Sequence, residues 1–217
     1  MRRAGQSVAR DAAELQRRLD AMDPGEVASH GLVLEENLGE IQTFSAGQVT
    51  VGDLTATYYG VQRSARNNRG EEVYGGSDLT FVRGGFEALL KLDCGIDIRR
   101  AVEQALRYDA AVRACFPGFF ASRTNYDIAL GRDAAGRPRS GVLEQSWRVG
   151  GATGPEIASL EVFRAQPAAN RVRAACVEIY GDSPPPPPRA TVYFRGTDPK
   201  VGLLTKYTLI EPDVHAR

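Results

Sequence analysis

The stretch Tyr126 to Gly154, YDIALGRDAAGRPRSGVLEQSWRVGGATG, reads as two strands joined by a polar turn and followed by a glycine-rich step into a helix. Asp127 sits on the first strand between Tyr126 and Ile128, and Glu144 closes the apolar run Val142-Leu143 on the second, so antiparallel pairing would bring the two carboxylates together. Two hard oxygen donors on adjacent strands suit magnesium, which takes one or two protein carboxylates and completes its shell with water and phosphate oxygens. Ser146 and Arg148 follow Glu144 at every second position, so strand alternation predicts all three side chains on one face. Gly150, Gly151 and Gly154 permit close backbone approach, and a helix opening at Pro155 would present its free N–H groups and positive dipole end to an anion. The same residues also fit an ordinary hairpin with a solvated Asp127 and a Glu144 paired to Arg148.

Composition narrows the function classes. The 217 residues, 42% of them hydrophobic, are enough to bury a sizeable core. Twenty-seven basic residues balance twenty-seven acidic ones, so no overall field draws in a polyanion, and nucleic acid is not the expected partner. Cys94, Cys115 and Cys176 are odd in number and in no paired spacing, which predicts free thiols used as core fillers in a reducing compartment. His30 and His215 are the only histidines, too few for a histidine-rich zinc site or a serine–histidine hydrolase centre. With no apolar leader region and no membrane-length apolar run, a cytoplasmic protein is expected.

Met1 to Val8 reads as a short strand, and Asp11-Ala-Ala-Glu14 has the spacing of a capping box that starts a helix. Ala12, Leu15, Leu19 and Met22 mark one apolar face of that helix, and Pro24-Gly25 is expected to end it. A strand is expected over Leu32 to Leu38, another over Ile41 to Ser45, and a β-rich meander from Gln48 through Arg63. Arg63 to Asp78 is polar, arginine-bearing and glycine-rich, the composition of a functional loop that a solvated charged loop also shares. A strand from Leu79 to Val82 precedes a short helix near Phe86 to Leu92 and a longer one from Asp97 to Cys115, whose stripe is Ile98, Val102, Ala105 and Val112. A helix over Glu156 to Phe163 should turn Ile157, Leu160 and Phe163 inward. A strand near Arg173 to Tyr180 precedes five prolines, Pro184 to Pro188, which favour a stiff extended spacer. The tail Ala190 to Ile210 reads as strand, Gly-Thr-Asp-Pro turn and strand.

The order of Asp127, turn, apolar strand, Glu144-Gln-Ser146-Trp-Arg148 and Gly150-Gly151 resembles the metal-binding end of ATP-grasp enzymes. LVLEENL at Leu32 to Leu38 with Gly39-Glu40 resembles the hinge of that superfamily, whose backbone faces adenine. Across most of its length the chain resembles an uncharacterised proteobacterial family of unknown function of ATP-grasp type. Two departures stand out: Ser146 replaces the usual Asn, and the turn before Glu144 is longer, an insertion that costs a surface turn little.

The resemblance implies an α+β fold with a mixed, largely antiparallel ATP-grasp-like sheet, flanking helices and an incomplete N-terminal lobe. Residues 1–180 would form the partial ATP-grasp domain, with a hinge-like strand at 32–40 and a metal hairpin at 126–151, and 181–217 a proline-rich spacer and β tail. It further implies ATP and Mg2+ as cofactors. Glu35, Glu36 and Leu38 would border the base and Glu40 the ribose, while Asp127, Glu144 and Ser146 would hold the metal. Arg148 and Arg63 would meet the transferred phosphoryl group or a small-molecule carboxylate substrate. The implied reaction is ligase chemistry through an acyl phosphate, the alternative being a nucleotide-binding or interaction module without turnover. A homo-oligomer is compatible with either. Only Met1 to Gly31 precede the hinge-like stretch, with no lysine before Lys91. The expectation is therefore that the phosphate-binding loop of the first lobe lies upstream of these residues and that this chain alone binds ATP poorly.

Overall fold

The computed structural model describes residues 7–211. Asp11 caps helix α1 (Ala12–Asp20) by accepting from the Glu14 backbone N–H, while Glu14 reaches back to the Arg10 N–H. Pro24 does not simply end this helix. With Asp23 as cap it occupies the first turn of a second one, α2 (Pro24–His30), where a missing N–H is no loss. Neither helix has a buried residue, so the apolar stripe of α1 does not contribute to the core. The strand expected over Met1 to Val8 lies mostly outside the described residues, and Ser7 and Val8 carry none.

Leu32 to Leu38 also differs from expectation, for it forms no strand. Val33 is 80% exposed, and among the described residues no strand pairs with this stretch. Pairing begins at Gly39, opposite Arg132. From there β1 (Gly39–Val51) joins the strand expected over Ile41 to Ser45 and the start of the meander into one, and reverses only at Gly52-Asp53 into β2 (Leu54–Arg66). β3 (Glu72–Arg83) returns antiparallel to it. Most of the expected loop from Arg63 to Asp78 is thus strand, with the register shift between Arg63 and Ser64 absorbing one residue of the Gly75-Gly76 step as a bulge.

After α3 (Phe86–Leu90) and α4 (Ile96–Cys115) come the hairpin β4 (Arg123–Arg132) and β5 (Pro138–Ser146), then α5 (Thr153–Ala165), β6 (Arg171–Tyr180), β7 (Thr191–Asp198) and β8 (Gly202–Glu211). The eight strands form one sheet in the order β5-β4-β1-β2-β3-β6-β8-β7, with every neighbouring pair antiparallel. The mixed α+β class is therefore observed. The tail expected to follow a spacer is continuous with this sheet, because β8 pairs with β6 and buries Leu204, Thr205 and Thr208.

Strand alternation divides the core between two faces. On one, Phe44, Ala46, Tyr126, Ile128 and Leu130 pack against Leu89, Val102 and Ala105 of α3 and α4. On the other, Val49, Tyr58, Leu79, Phe81, Val172 and Ala174 pack against Leu160 and Phe163 of α5. Full burial of Phe81 and Phe163 contributes about 1.5–3 kcal/mol each. α5 buries Glu156, Ser159, Leu160 and Phe163, so Ile157, expected inward, is 53% exposed. α5 lies over β2, β3, β6 and β8, and the same sheet face continues over β1, β4 and β5, where Ser45, Asn125 and Ala129 are buried and Asp127 is half-buried. The candidate site is there.

Candidate functional site

Asp127 alternates with Tyr126 and Ile128, both fully buried against α4, so its carboxylate belongs to the opposite face of the sheet. Glu144 is its direct cross-strand partner. A bulge decides this. Val142 pairs with Ile128 and packs on the α4 side, so unbroken alternation would put Glu144 there too. The ladder skips Leu143, and that single extra residue turns Glu144 to the face of Asp127. Ser146 follows opposite Asn125 on the same face. The strand ends at Ser146, so Arg148 does not continue the row as expected. Its side chain is exposed and donates to the Val149 carbonyl at 3.0 Å.

Around Asp127 the sheet supplies neutral polar groups. Ser45 Oγ donates to Asp127 Oδ1 at 3.2 Å and accepts from Gln62 Nε2 at 3.2 Å. The Asn125 amide spans Asp127 Oδ1 at 3.2 Å and Tyr58 Oη at 2.9 Å. Tyr58 also meets Glu156 Oε1 at 2.6 Å, and Glu156 Oε2 accepts from Arg123 Nε at 2.7 Å. Burial first, and the Glu156 charge second, push the Tyr58 phenol well above its ordinary pKa, so it keeps its proton. Arg123 extends Nη1 to the carbonyls of Ser146 at 2.8 Å and Arg148 at 2.6 Å. One buried guanidinium thereby ties the end of β5, the glycine step and the first turn of α5 to β4. Ser146 Oγ lies 3.4 Å from the same nitrogen.

Close approach at the start of α5 depends on glycine. A Cβ on Gly151 would lie 2.8 Å from Tyr74 Oη, and one on Gly154 would lie 2.5 Å from Thr208 Oγ1 and 2.8 Å from Tyr193 Oη. Gly154→Ala is expected to lift α5 off β8 and to cost about 1–3 kcal/mol in urea unfolding. An unchanged midpoint would show that the helix start is not seated this tightly. Beneath Gly151, Tyr74 Oη lies 2.8 Å from Ser77 Oγ and 3.1 Å from Cys176 Sγ. Burial raises the Cys176 thiol, which suits a core filler rather than a nucleophile.

Arg63 is not brought to this face. It follows Tyr59 and Val61 at every second position, so Arg63 shares their face on the α4 side, away from Asp127, and it pairs with Asp78. Glu36 pairs with Arg139 at 3.6 Å, and Glu40 with Arg132 at 3.0 Å. Glu40 adopts a left-handed φ of 49° at an irregularity in β1, which aims its carboxylate across to β4. Glu35 is exposed, and Leu38 packs over Gly131, which shares the Asp127 face of β4 by strand alternation. A cavity of about 350 Å3 lies on the α4 side between Tyr59, Val61, Asp78, Ile98 and Arg173, away from the carboxylate pair. Among the described residues there is no group of three or more His, Cys, Asp or Glu that could hold a metal ion. No described helix is long and apolar enough to cross a membrane.

Ser45, Gln62, Asn125, Tyr58, Arg123 and Glu156 were not foreseen. Asn125 was within reach, since a residue two positions before Asp127 on a strand shares its face. The others come from strands and a helix whose juxtaposition no local pattern records. No curated protein and no solved structure matches the chain. A family model described as Protein of unknown function (DUF3182) matches residues 2–208, and the chain belongs to that family.

Proposed function

We propose that the Asp127 face of the sheet binds a magnesium–nucleoside triphosphate, as an ATP-grasp-type protein derived from a carboxylate–amine or similar ligase acting through an acyl phosphate. The observation that carries this reading is the cross-strand pair Asp127 and Glu144 on one face, with the Gly150-Gly151 step and the start of α5 beside it. The donor set fits the ion, since both carboxylates are hard oxygen donors and the flanking groups are hydroxyls and amides. Bound magnesium would neutralise phosphate charge, which is its part in phosphoryl transfer. Asp127 and Glu144 would hold it. Gly150 gives its N–H to Thr153 Oγ1, so the N–H of Gly151 would be the one to meet a phosphate, and Arg148, exposed at the rim, would meet a small-molecule carboxylate or the transferred phosphoryl group.

A second reading, binding without turnover, is favoured by one observation: Arg63 is engaged with Asp78 on the far face. The two readings share a first test. Calorimetric titration with a nonhydrolysable ATP analogue should show binding with magnesium present and none with magnesium chelated. Absence of binding in both conditions would retire the nucleotide site. Phosphate release from ATP across a panel of small carboxylates and amines then separates a ligase from a binding module.

A further inference from the structure

Tyr58 Oη lies 2.6 Å from Glu156 Oε1 and 2.9 Å from Asn125 Oδ1, but a phenol has one proton to give. Glu156 is the ionised partner of buried Arg123, and so close a carboxylate takes that proton in a charge-assisted bond. Tyr58 then offers Asn125 only a lone pair. An amide N–H can meet it, whereas an amide oxygen repels it. Turning the amide over supplies the N–H, because the oxygen and nitrogen of an asparagine are assigned from their partners and not from their shape.

The turned amide carries its oxygen to the other end, within 3.2 Å of Asp127 Oδ1. Two acceptors now face each other with no proton between them, on a side chain only 8% exposed. In either orientation one oxygen pair of this network is left without a proton, an arrangement that is expensive in a buried setting. Ser45 cannot relieve it, since its hydroxyl already donates to Asp127 Oδ1 and accepts from Gln62. A positive charge between Asn125 Oδ1 and Asp127 Oδ1 satisfies every atom.

We propose that Asn125 is a ligand of the cation held by Asp127 and Glu144, and that its amide turns over as the cation enters. Its carbonyl is then the third protein oxygen, from the strand opposite Ser146. The inference rests on the proposed reading of this face as a cation site. The ion it fits is a hard divalent one of the magnesium and manganese class, because the donors are two carboxylates and one amide oxygen. The turnover also couples the ion to α5, since the amide's other end then donates to Tyr58, the partner of Glu156 in the first turn of that helix.

The test uses Mn2+ alone, titrated into the full chain and followed by the electron paramagnetic resonance of the free ion, with thermal unfolding measured in parallel. Asn125→Ala should weaken Mn2+ binding about tenfold. Asn125→Asp adds a second carboxylate beside Asp127, so it should lower the melting temperature without metal and recover it with Mn2+. A merely structural Asn125 would give the same loss with and without the ion, and that result overturns the proposal. So does Asn125→Ala binding Mn2+ as the unaltered chain does while Asp127→Asn does not, an outcome that leaves the cation site standing. If the unaltered chain takes up no Mn2+, the reading of the face falls and the role of Asn125 with it.

Discussion

Glu156→Gln is expected to lower the stability of the protein by about 3–5 kcal/mol, read as a shift of the urea midpoint with unchanged slope. The substitution keeps size and shape and removes only the charge. Its partner Arg123 is 8% exposed and would then be a buried cation without a counter-ion, while Tyr58 would lose the carboxylate that takes its proton. Removing one member of a buried pair costs more than the pair itself contributes, because the remaining charge has been taken out of water. Glu40→Gln is the matched control. It breaks the Glu40–Arg132 pair, whose side chains are 78% and 53% exposed, so solvent screens the loss and stability should barely change. Equal effects from the two substitutions would mean that Arg123 finds water or another acceptor when Glu156 is neutral. Because Arg123 also holds the carbonyls of Ser146 and Arg148, the Glu156 variant should loosen the glycine step as well.

Glu144→Gln is expected to weaken magnesium-dependent binding of an ATP analogue by about 100-fold or more, and Ser146→Ala to leave it close to the unaltered protein. A carboxylate facing a phosphate-bound cation contributes charge as well as an oxygen, and the amide that replaces it leaves phosphate repulsion uncompensated. Ser146 Oγ is directed instead to within 3.4 Å of Arg123 Nη1, and its removal leaves that guanidinium bonded to two backbone carbonyls and to Glu156. Titrations with and without magnesium on each variant make the comparison. Small and similar effects from both would remove Glu144 from the metal set.

Much of the scaffold was legible because it is local. The Asp11 cap, the stripe of Val102, Ala105 and Val112 on α4, the meander of β1 to β3 and the hairpin of Asp127 all follow from spacing and alternation that a short window contains. Misreadings occurred where composition was ambiguous. The run Arg63 to Asp78 has the polarity of a loop, yet its backbone groups find ladder partners, and glycine that suggests a flexible loop serves equally as the step of a bulge. Leu32 to Leu38 has the apolar content of a strand, but a strand needs a neighbour to pair with, and among the described residues none pairs with it.

For the candidate site the division is sharper. The sequence alone determined that Asp127 and Glu144 lie on adjacent antiparallel strands, with a glycine step and a helix start close behind, since each of these is a property of contiguous residues. Only the tertiary structure decided that the two carboxylates share a face, because a one-residue bulge at Leu143 inverts the side chain that alternation would otherwise assign. It alone brought Ser45, Gln62 and Asn125 around Asp127, and it alone placed Arg63 beyond reach on the opposite side. Those relations depend on strand order and register across the sheet. The pairings that set them join residues far apart in the chain, such as Ser45 with Asp127 and Tyr58 with Glu156, and no local propensity encodes them.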